Sequence, residues 1–280
     1  MIALYVVLFI SLYAGIFFLY SYFQHKTKFK THVDKEFTPE VTVLIPAYNE
    51  ERTLARTLDY VFRMTYPKEK LNVIVVDDGS VDETVQKVSE IALLNDNIKM
   101  CISSSNQGKG DAVKKGMLFA KGEWRFLCDA DLSMPISNIE RFFSDRDHIP
   151  YYDLTLGSRE LPASKRYNEP WQRHMFGRLF NIFVKLFMFR GIEDTQCGFK
   201  MFSADSSKAI FPLLSLKGFA FDVEAIFIAN KLGFSVGEVG IEWHHRSGSK
   251  VRFTSGTKAF FDVISLRVRY LFRKHKSDIK

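Results

Sequence analysis

Two carboxylates two residues apart, Asp129 and Asp131, follow the apolar run Phe126-Leu127-Cys128. Acidic side chains at that spacing behind a buried strand converge on one hard cation. Mg²⁺ or Mn²⁺ takes oxygen ligands and keeps positions open for phosphate oxygens, so this pair plus a diphosphate can complete a shell. Such a cation would neutralise a departing nucleoside diphosphate. An isolated Asp-Ala-Asp also occurs in ordinary surface loops; its place after an apolar run favours the cation. Two more polar turns follow apolar runs: Pro46-Ala47-Tyr48-Asn49-Glu50, and Asp77-Asp78-Gly79-Ser80-Val81-Asp82-Glu83-Thr84. Asp77 is placed to accept hydrogen bonds from ribose hydroxyls or a base N–H, and Gly79 permits the turn into a helix capped by Ser80 or Asp82. At least one of Asp77, Asp78 and Asp82 only shapes that turn. Asn106-Gln107-Gly108-Lys109-Gly110 supplies a tight loop and a cation at a helix start, suited to phosphate or a nucleobase edge. The spacing of a Walker phosphate loop is missing and no GxGxxG follows a strand, so ATPase and dinucleotide-binding readings lose their main supports.

Something must hold these turns side by side. From Val41 the sequence alternates short β-branched runs with amphipathic segments, which predicts strands over 41–45, 73–77, 98–103, 124–128 and 154–158. Helical spacing covers 51–62, 82–94 and 109–120, so the sheet is at least partly parallel and covered on both faces. In an open α/β sheet the chemistry lies beyond the carboxyl ends of the strands, where the turns above fall. A Phe-rich helix with interspersed Arg is expected over 171–190, a helix over 222–232, a strand over 235–243 and a basic amphipathic helix over 257–275. Basic helices with bulky apolar residues commonly lie along a membrane, although packing against the sheet explains each one alone equally well.

The 280 residues, 46% hydrophobic and 25% charged, describe a folded chain and exclude disorder and fibrous repeats. A formal charge of +7 favours anionic partners, and 27 Phe suit a surface that meets lipid. Nucleic acid fits poorly, since the basic residues cluster with Phe and Leu and no recognition module is present. Cys101, Cys128 and Cys197 suggest neither a disulfide framework nor a zinc site. Residues 2–23 carry no charge and as a helix would reach roughly 33 Å, enough to cross a bilayer. Lys26, Lys28, Lys30 and Lys35 follow, which puts the rest of the chain on the cytoplasmic side of a retained, single-pass anchor. That membrane is the endoplasmic reticulum in a eukaryote or the plasma membrane in a prokaryote. The expected organisation is an anchor over 1–24, a basic linker over 25–37, a catalytic domain over 38–256 with an interfacial acceptor helix at 168–192, and an amphipathic tail over 257–280.

From about Thr38 to about Phe272 the chain resembles the inverting family-two glycosyltransferases, and within them the polyprenyl-phosphate sugar transferases, most of all the group that glucosylates dolichyl phosphate. The resemblance is carried by the turns at 46–50 and 75–84, by 106–110, by Asp129-Ala130-Asp131-Leu132-Ser133, by Gly157-Ser158-Arg159, by 194–202, by Phe221-Asp222-Val223-Glu224 and by Gly248-Ser249-Lys250. It implies a GT-A fold, a Rossmann-like open, mostly parallel twisted sheet with helices on both faces, plus an N-terminal membrane helix and membrane-associated amphipathic helices. It implies a UDP-sugar donor, UDP-glucose, a polyprenyl phosphate acceptor and a divalent cation.

By this resemblance Pro46, Tyr48, Glu50 and Asp77 hold the nucleotide together with Asn106 and Lys109, while Asp129 and Asp131 hold the diphosphate and its metal. Ser133 stands where relatives often carry Gln and is a weaker neighbour of that metal. Arg159, Arg173 and Arg178 would hold the acceptor phosphate, Arg159 foremost; Arg246, Ser249 and Lys250 would close over the donor diphosphate. Asp194, Gln196, Asp222 and Glu224 either bind sugar hydroxyls or orient the arginines, with sugar binding preferred for Asp194 and Gln196. A phosphate acceptor is already anionic, so no catalytic base is required, and a single displacement inverts the α-linked donor to a β-linked product. The alternatives are the same chemistry with GDP-mannose, a processive synthase, whose further spans and QxxRW segment are missing, and a non-catalytic nucleotide-binding membrane scaffold.

Overall fold

The computed structural model describes residues 38–131, 133–143, 150–246 and 253–272. The expected span, the basic linker, Ser249, Lys250 and the end of the tail lie outside them. Strands β1 (Val41–Ala47), β2 (Leu71–Asp77), β3 (Ile98–Ile102) and β4 (Trp124–Leu127) run parallel, joined by helices α1 (Leu54–Phe62), α2 (Thr84–Ala92) and α3 (Lys109–Phe119). Period-two alternation sends Leu44, Ile74, Val76 and Leu127 to one face of the sheet and Val43, Ile45, Val73, Val75 and Phe126 to the other. Val113 and Met117 of α3 cover the first face; Leu54, Leu58 and Val61 of α1 and Val88 of α2 cover the second. Both faces being dry explains why these strands read as near-continuous apolar runs.

The second half adds β5 (Leu154–Ser158), β6 (Lys165–Tyr167), α4 (Trp171–Phe187), β7 (Lys200–Ser203), α5 (Ala204–Ile210), α6 (Phe221–Leu232), β8 (Val236–Gly240), β9 (Glu242–His244) and α7 (Phe253–Phe272). The main sheet has seven strands in the order β3-β2-β1-β4-β7-β5-β8, with β7 antiparallel to both neighbours. Sequence periodicity did not reveal β7, which is short and carries a lysine. Its direction matters: Lys200 pairs with Leu127, so the loop entering β7 arrives beside the carboxyl end of β4. The strand expected over 235–243 divides at Ile241, β8 joining β5 in the main sheet and β9 pairing with β6 in a separate two-stranded sheet. Helix α7 begins at Phe253, before the expected 257, and α4 ends at Phe187, before the expected 190. Among the described residues no helix is long and apolar enough to cross a membrane.

Candidate active site

The parallel strands deliver their turns to one edge of the sheet. Ala47 and Asp77 lie in register, and Asp78 N–H donates to Ala47 O at 2.9 Å. Asn49, at φ 54°, locks the two turns together: its N–H donates to Ser80 Oγ at 2.8 Å and its Oδ1 accepts from Val81 N–H at 2.9 Å. Asp77 is 1% exposed; Oδ2 accepts from Gly79 and Ser80 N–H at 3.0 Å, while Oδ1 is buried without a hydrogen-bond partner. A buried acceptor left unpaired is costly, so Oδ1 is built to receive a ligand N–H or O–H. Asp78 instead accepts from Gln107 N–H at 2.9 Å and Gly108 N–H at 2.8 Å, fixing the loop before α3. Asp82 accepts from Thr84 N–H at 3.0 Å and serves the start of α2. Gly79, at φ 74°, passes so close to Ser105 that a Cβ would stand 2.5 Å from its carbonyl carbon. Pro46 and Tyr48 are part-exposed around the end of β1, and Asn106, next to the Ser105 backbone that Gly79 packs on, is exposed. Glu50 Oε2 accepts from Thr53 Oγ1 at 2.6 Å at the entry to α1.

Asp129 and Asp131 follow β4. Thr57 Oγ1 donates to Ala130 O at 2.8 Å, pinning the residue between them to α1. Asp131 Oδ1 accepts from Ser133 N–H at 2.9 Å, and Ser133 is buried. Lys109 Nζ donates to Asp129 Oδ1 at 2.5 Å. Burial pulls the Lys109 ammonium down, yet the carboxylates of Asp129, Asp222 and Asp131 together hold it above its ordinary value. Asp129 thus holds Lys109 directly, and Asp131 adds to the field on it. Gly198, from the loop entering β7, presses on Asp129: a Cβ there would stand 1.9 Å from Oδ2. Among the described residues no three of His, Cys, Asp and Glu gather to hold a metal alone. Two oxygen-donor side chains with the remaining positions left to ligand oxygens fit Mg²⁺ or Mn²⁺.

Arg159 follows β5 and meets Asp194 in the loop before β7, through Nε to Oδ2 at 2.7 Å and Nη2 to Oδ1 at 2.9 Å. Burial would raise the Asp194 carboxyl, but Arg159 holds it down to about 2. Glu238 anchors the same loop by accepting from Glu193 and Asp194 N–H at 2.6 and 2.8 Å. Trp243, buried on β9, has the guanidinium of Arg159 5.6 Å and that of Arg173 5.3 Å from its ring centroid. Arg173 Nη1 lies 3.3 Å from His245 Nδ1 and, among the described residues, makes no ion pair with a carboxylate. Burial and the Arg159 charge lower its basicity, which Glu169 and Asp131 partly offset. The half-buried Arg173, beside Trp243 and His245, is thus a cation in want of an anion.

Of the four polar residues expected either at the sugar or behind the arginines, three meet charged or backbone partners within the protein. Asp194 is 0% exposed and saturated by Arg159, so it orients that arginine and cannot reach a hydroxyl. Glu224 is buried and accepts from Ser215 N–H at 2.9 Å, Ser215 Oγ at 2.6 Å and Leu216 N–H at 2.7 Å, so it holds the loop before α6. Asp222 is buried against Lys200 at 2.8 Å. Gln196 Nε2 is buried without a hydrogen-bond partner, a donor available to a ligand. Arg178 is exposed in a shallow groove with Trp171, His174, Met175, Leu179 and Ile182, apart from the Arg159–Trp243–Arg173 cluster. Arg246 is exposed just beyond β9. Trp243, His245, Lys200 and Glu238 were not singled out from sequence. A lysine between Phe199 and Met201 was the available sign of a buried cation that needs a counter-charge.

Comparison with known proteins gives a consistent picture. The family described as glycosyl transferase family 2 matches residues 42–211. The dolichyl-phosphate beta-glucosyltransferase of Dictyostelium discoideum is 33% identical over 244 residues, covering 82% of this chain and 75% of that protein. The mouse protein of the same name is 32% identical over 84% of this chain and 76% of its own. Among solved structures, the glucosyl-3-phosphoglycerate synthase of Mycobacterium tuberculosis in complex with UDP superposes with a TM-score of 0.60 at 16% identity, covering 82% of this chain and 79% of that one. A Pyrobaculum calidifontis mannosyltransferase in complex with GDP-mannose and Mn²⁺ gives 0.55 at 20% identity, over 95% and 75%. At those identities the structures establish a shared fold.

Proposed function

The chain belongs to glycosyl transferase family 2 and is a glycosyltransferase of GT-A type fold, and from that premise we propose that it moves glucose from UDP-glucose to dolichyl phosphate or another polyprenyl phosphate. The observation that carries this reading is the make-up of α4. At its first turn stands Arg173, half-buried beside Trp243 and Arg159; along the same helix Trp171, Met175, Leu179, Ile182 and Leu186 form an exposed apolar stripe. An anion site at the head of a lipid-facing stripe is what an isoprenoid bearing a phosphate demands. Helix α7 packs on α4 through Phe260 against Phe180, with ring centroids 5.0 Å apart, and adds Phe261, Ile264, Val268 and Leu271 to the exposed apolar surface. Together with the apolar 2–23 run, these stripes support a membrane-anchored enzyme working at the cytoplasmic surface.

In this reading Asp77 Oδ1 receives a donor of the nucleotide, and Lys109 contributes positive charge beside the diphosphate. A divalent cation on Asp129 and Asp131 would supply neutralisation of the leaving UDP. Arg173 and Arg159 hold the acceptor phosphate so that its oxygen faces the sugar C1, and Gln196 Nε2 donates to a glucose hydroxyl. The new C1–O bond forms as the C1–diphosphate oxygen bond breaks, with inversion. No base is needed, which agrees with the carboxylates of Asp194, Asp222 and Glu224 being committed to protein partners.

The decisive experiment incubates the purified full chain with mixed UDP- and GDP-sugars, Mn²⁺ or Mg²⁺, and dolichyl phosphate in detergent, and reads the lipid product by mass spectrometry. The expected product is dolichyl phosphate glucose. Mannosylated lipid would move the donor to GDP-mannose, and UDP binding without transfer to any lipid would favour the scaffold.

A further inference from the structure

Four charges alternate in sign from the core to the rim of the site. Lys200 Nζ, 1% exposed, stands 2.8 Å from Asp222 Oδ1, and Lys109 Nζ stands 2.5 Å from Asp129 Oδ1. The two pairs are brought together because α3 and α6 begin against one another. A Cβ on Gly110 would come within 2.7 Å of Phe221 Cβ, and Gly110 N–H donates to Lys217 O at 2.7 Å. Lys109 and Asp222 are the next residues on either side of that contact. After Asp129, Asp222 is the strongest carboxylate influence on Lys109, and after Lys200, Lys109 is the strongest cationic influence on Asp222.

A buried ion pair replaced by apolar side chains is often no less stable, so Lys200 and Asp222 call for a role other than stability. The paired carboxylates indicate one. While Lys109 holds Asp129 Oδ1 it would compete with a divalent cation for that carboxylate, and two cations on one carboxylate repel strongly in a part-buried site. Loading the pair therefore requires the ammonium to move, and its flexible four-carbon stem allows a swing toward Asp222, whose helix starts against its own.

We propose that Asp222, held by Lys200, is a positioning residue that takes the Lys109 ammonium over from Asp129 when a divalent cation binds, and so sets how readily Asp129 and Asp131 load. This rests on the reading of Asp129 and Asp131 as metal ligands. Lys109 then acts as an internal counter-ion that keeps the carboxylate pair neutralised between turnovers.

The test is Mn²⁺ binding to the full chain, followed through the paramagnetic resonance signal of the free aqua ion, with and without UDP. Removing the buried pair as Asp222→Asn/Lys200→Met leaves no stranded charge and deprives Lys109 of its second carboxylate; Mn²⁺ affinity should fall about tenfold, as when a metal site loses an outer-shell partner. Adding Lys109→Met should restore it to about wild type. A merely structural pair gives no such rescue, and unchanged affinity in the double variant, or no recovery in the triple, overturns the proposal. Lys109→Met alone, which leaves the buried pair intact, should bind Mn²⁺ more tightly than wild type without UDP; equal or weaker binding also overturns it. Wild type binding no Mn²⁺ would remove the metal reading and this inference with it. If wild type binds and Asp129→Asn/Asp131→Asn does not, the metal reading stands and the other variants alone decide the inference.

Discussion

Arg159 grips Asp194 through two side-chain hydrogen bonds, at 2.7 and 2.9 Å, and Arg159 N–H gives Oδ2 a third at 3.0 Å. The carboxylate has no exposed surface, and its loop is held in turn by Glu238. The guanidinium is thus fixed from behind, with the Trp243 ring 5.6 Å away. Asp194→Asn leaves that buried cation unpaired, and breaking such a pair costs about 3–5 kcal/mol. Expected are a lower denaturation midpoint and a raised KM for the acceptor phosphate. Unchanged values of both would show that Arg159 is oriented by something else.

The same carboxyl makes a pH prediction. Held down to about 2 from an ordinary 3.8, Asp194 has a folded-state pKa below its unfolded one. Its contribution is therefore present above the unfolded value and lost as pH falls through the folded one, an order of about 2 kcal/mol fading between pH 4 and 2. Asp222, which burial raises against the pull of Lys200 and Lys109, acts in the opposite sense, its penalty relieved as acid protonates it. Urea denaturation across this range should show a steeper acid loss in wild type than in Asp194→Asn. Parallel curves would deny Asp194 this role.

The parallel half of the sheet was legible because strands buried on both faces must be apolar throughout, as in Val73-Ile74-Val75-Val76. The turns after β1, β2 and β4 were legible for the same reason: polar residues ending apolar runs mark the strand ends. Strand β7 escaped because its four residues begin with Lys200, whose partner Asp222 lies on a distant helix. The roles of Asp194 and Glu224 stayed open in the sequence because a carboxylate that braces the protein and one that awaits a ligand are the same letter. Only three-dimensional hydrogen-bond partners separate them, here Arg159 for one and the Ser215–Leu216 backbone for the other.

Asp129→Asn and Asp131→Asn should each lower turnover by at least about a hundredfold, since a neutral amide cannot balance a hard cation. Both side chains are at the rim of the sheet, so the fold should survive, which circular dichroism can check. Turnover within a few-fold of wild type would remove the metal from the pair.

Glu224→Gln separates bracing from sugar contact. The amide retains shape but only one acceptor oxygen for the donors of Ser215 and Leu216, so a loss of about 1–3 kcal/mol is expected, with the KM for UDP-glucose close to wild type. A raised donor KM at unchanged stability would return Glu224 to the sugar.

The stripe on α4 predicts a split between acceptors. Leu179 and Leu186 are exposed on the described surface, whereas Phe180 and Val184 of the same helix are buried, so replacing the leucines leaves the core untouched. If the stripe carries the isoprenoid, Leu179→Glu/Leu186→Glu places two charges where lipid should lie, against about 1.5–3 kcal/mol gained by burying each leucine. The KM for dolichyl phosphate in vesicles should rise by about tenfold or more. That for a short, water-soluble isoprenyl phosphate should stay near wild type, because Arg173 and Arg159 still hold the phosphate. Equal effects on both acceptors would place the damage at the phosphate rather than the tail, and no effect on either would leave the stripe without a part in catalysis.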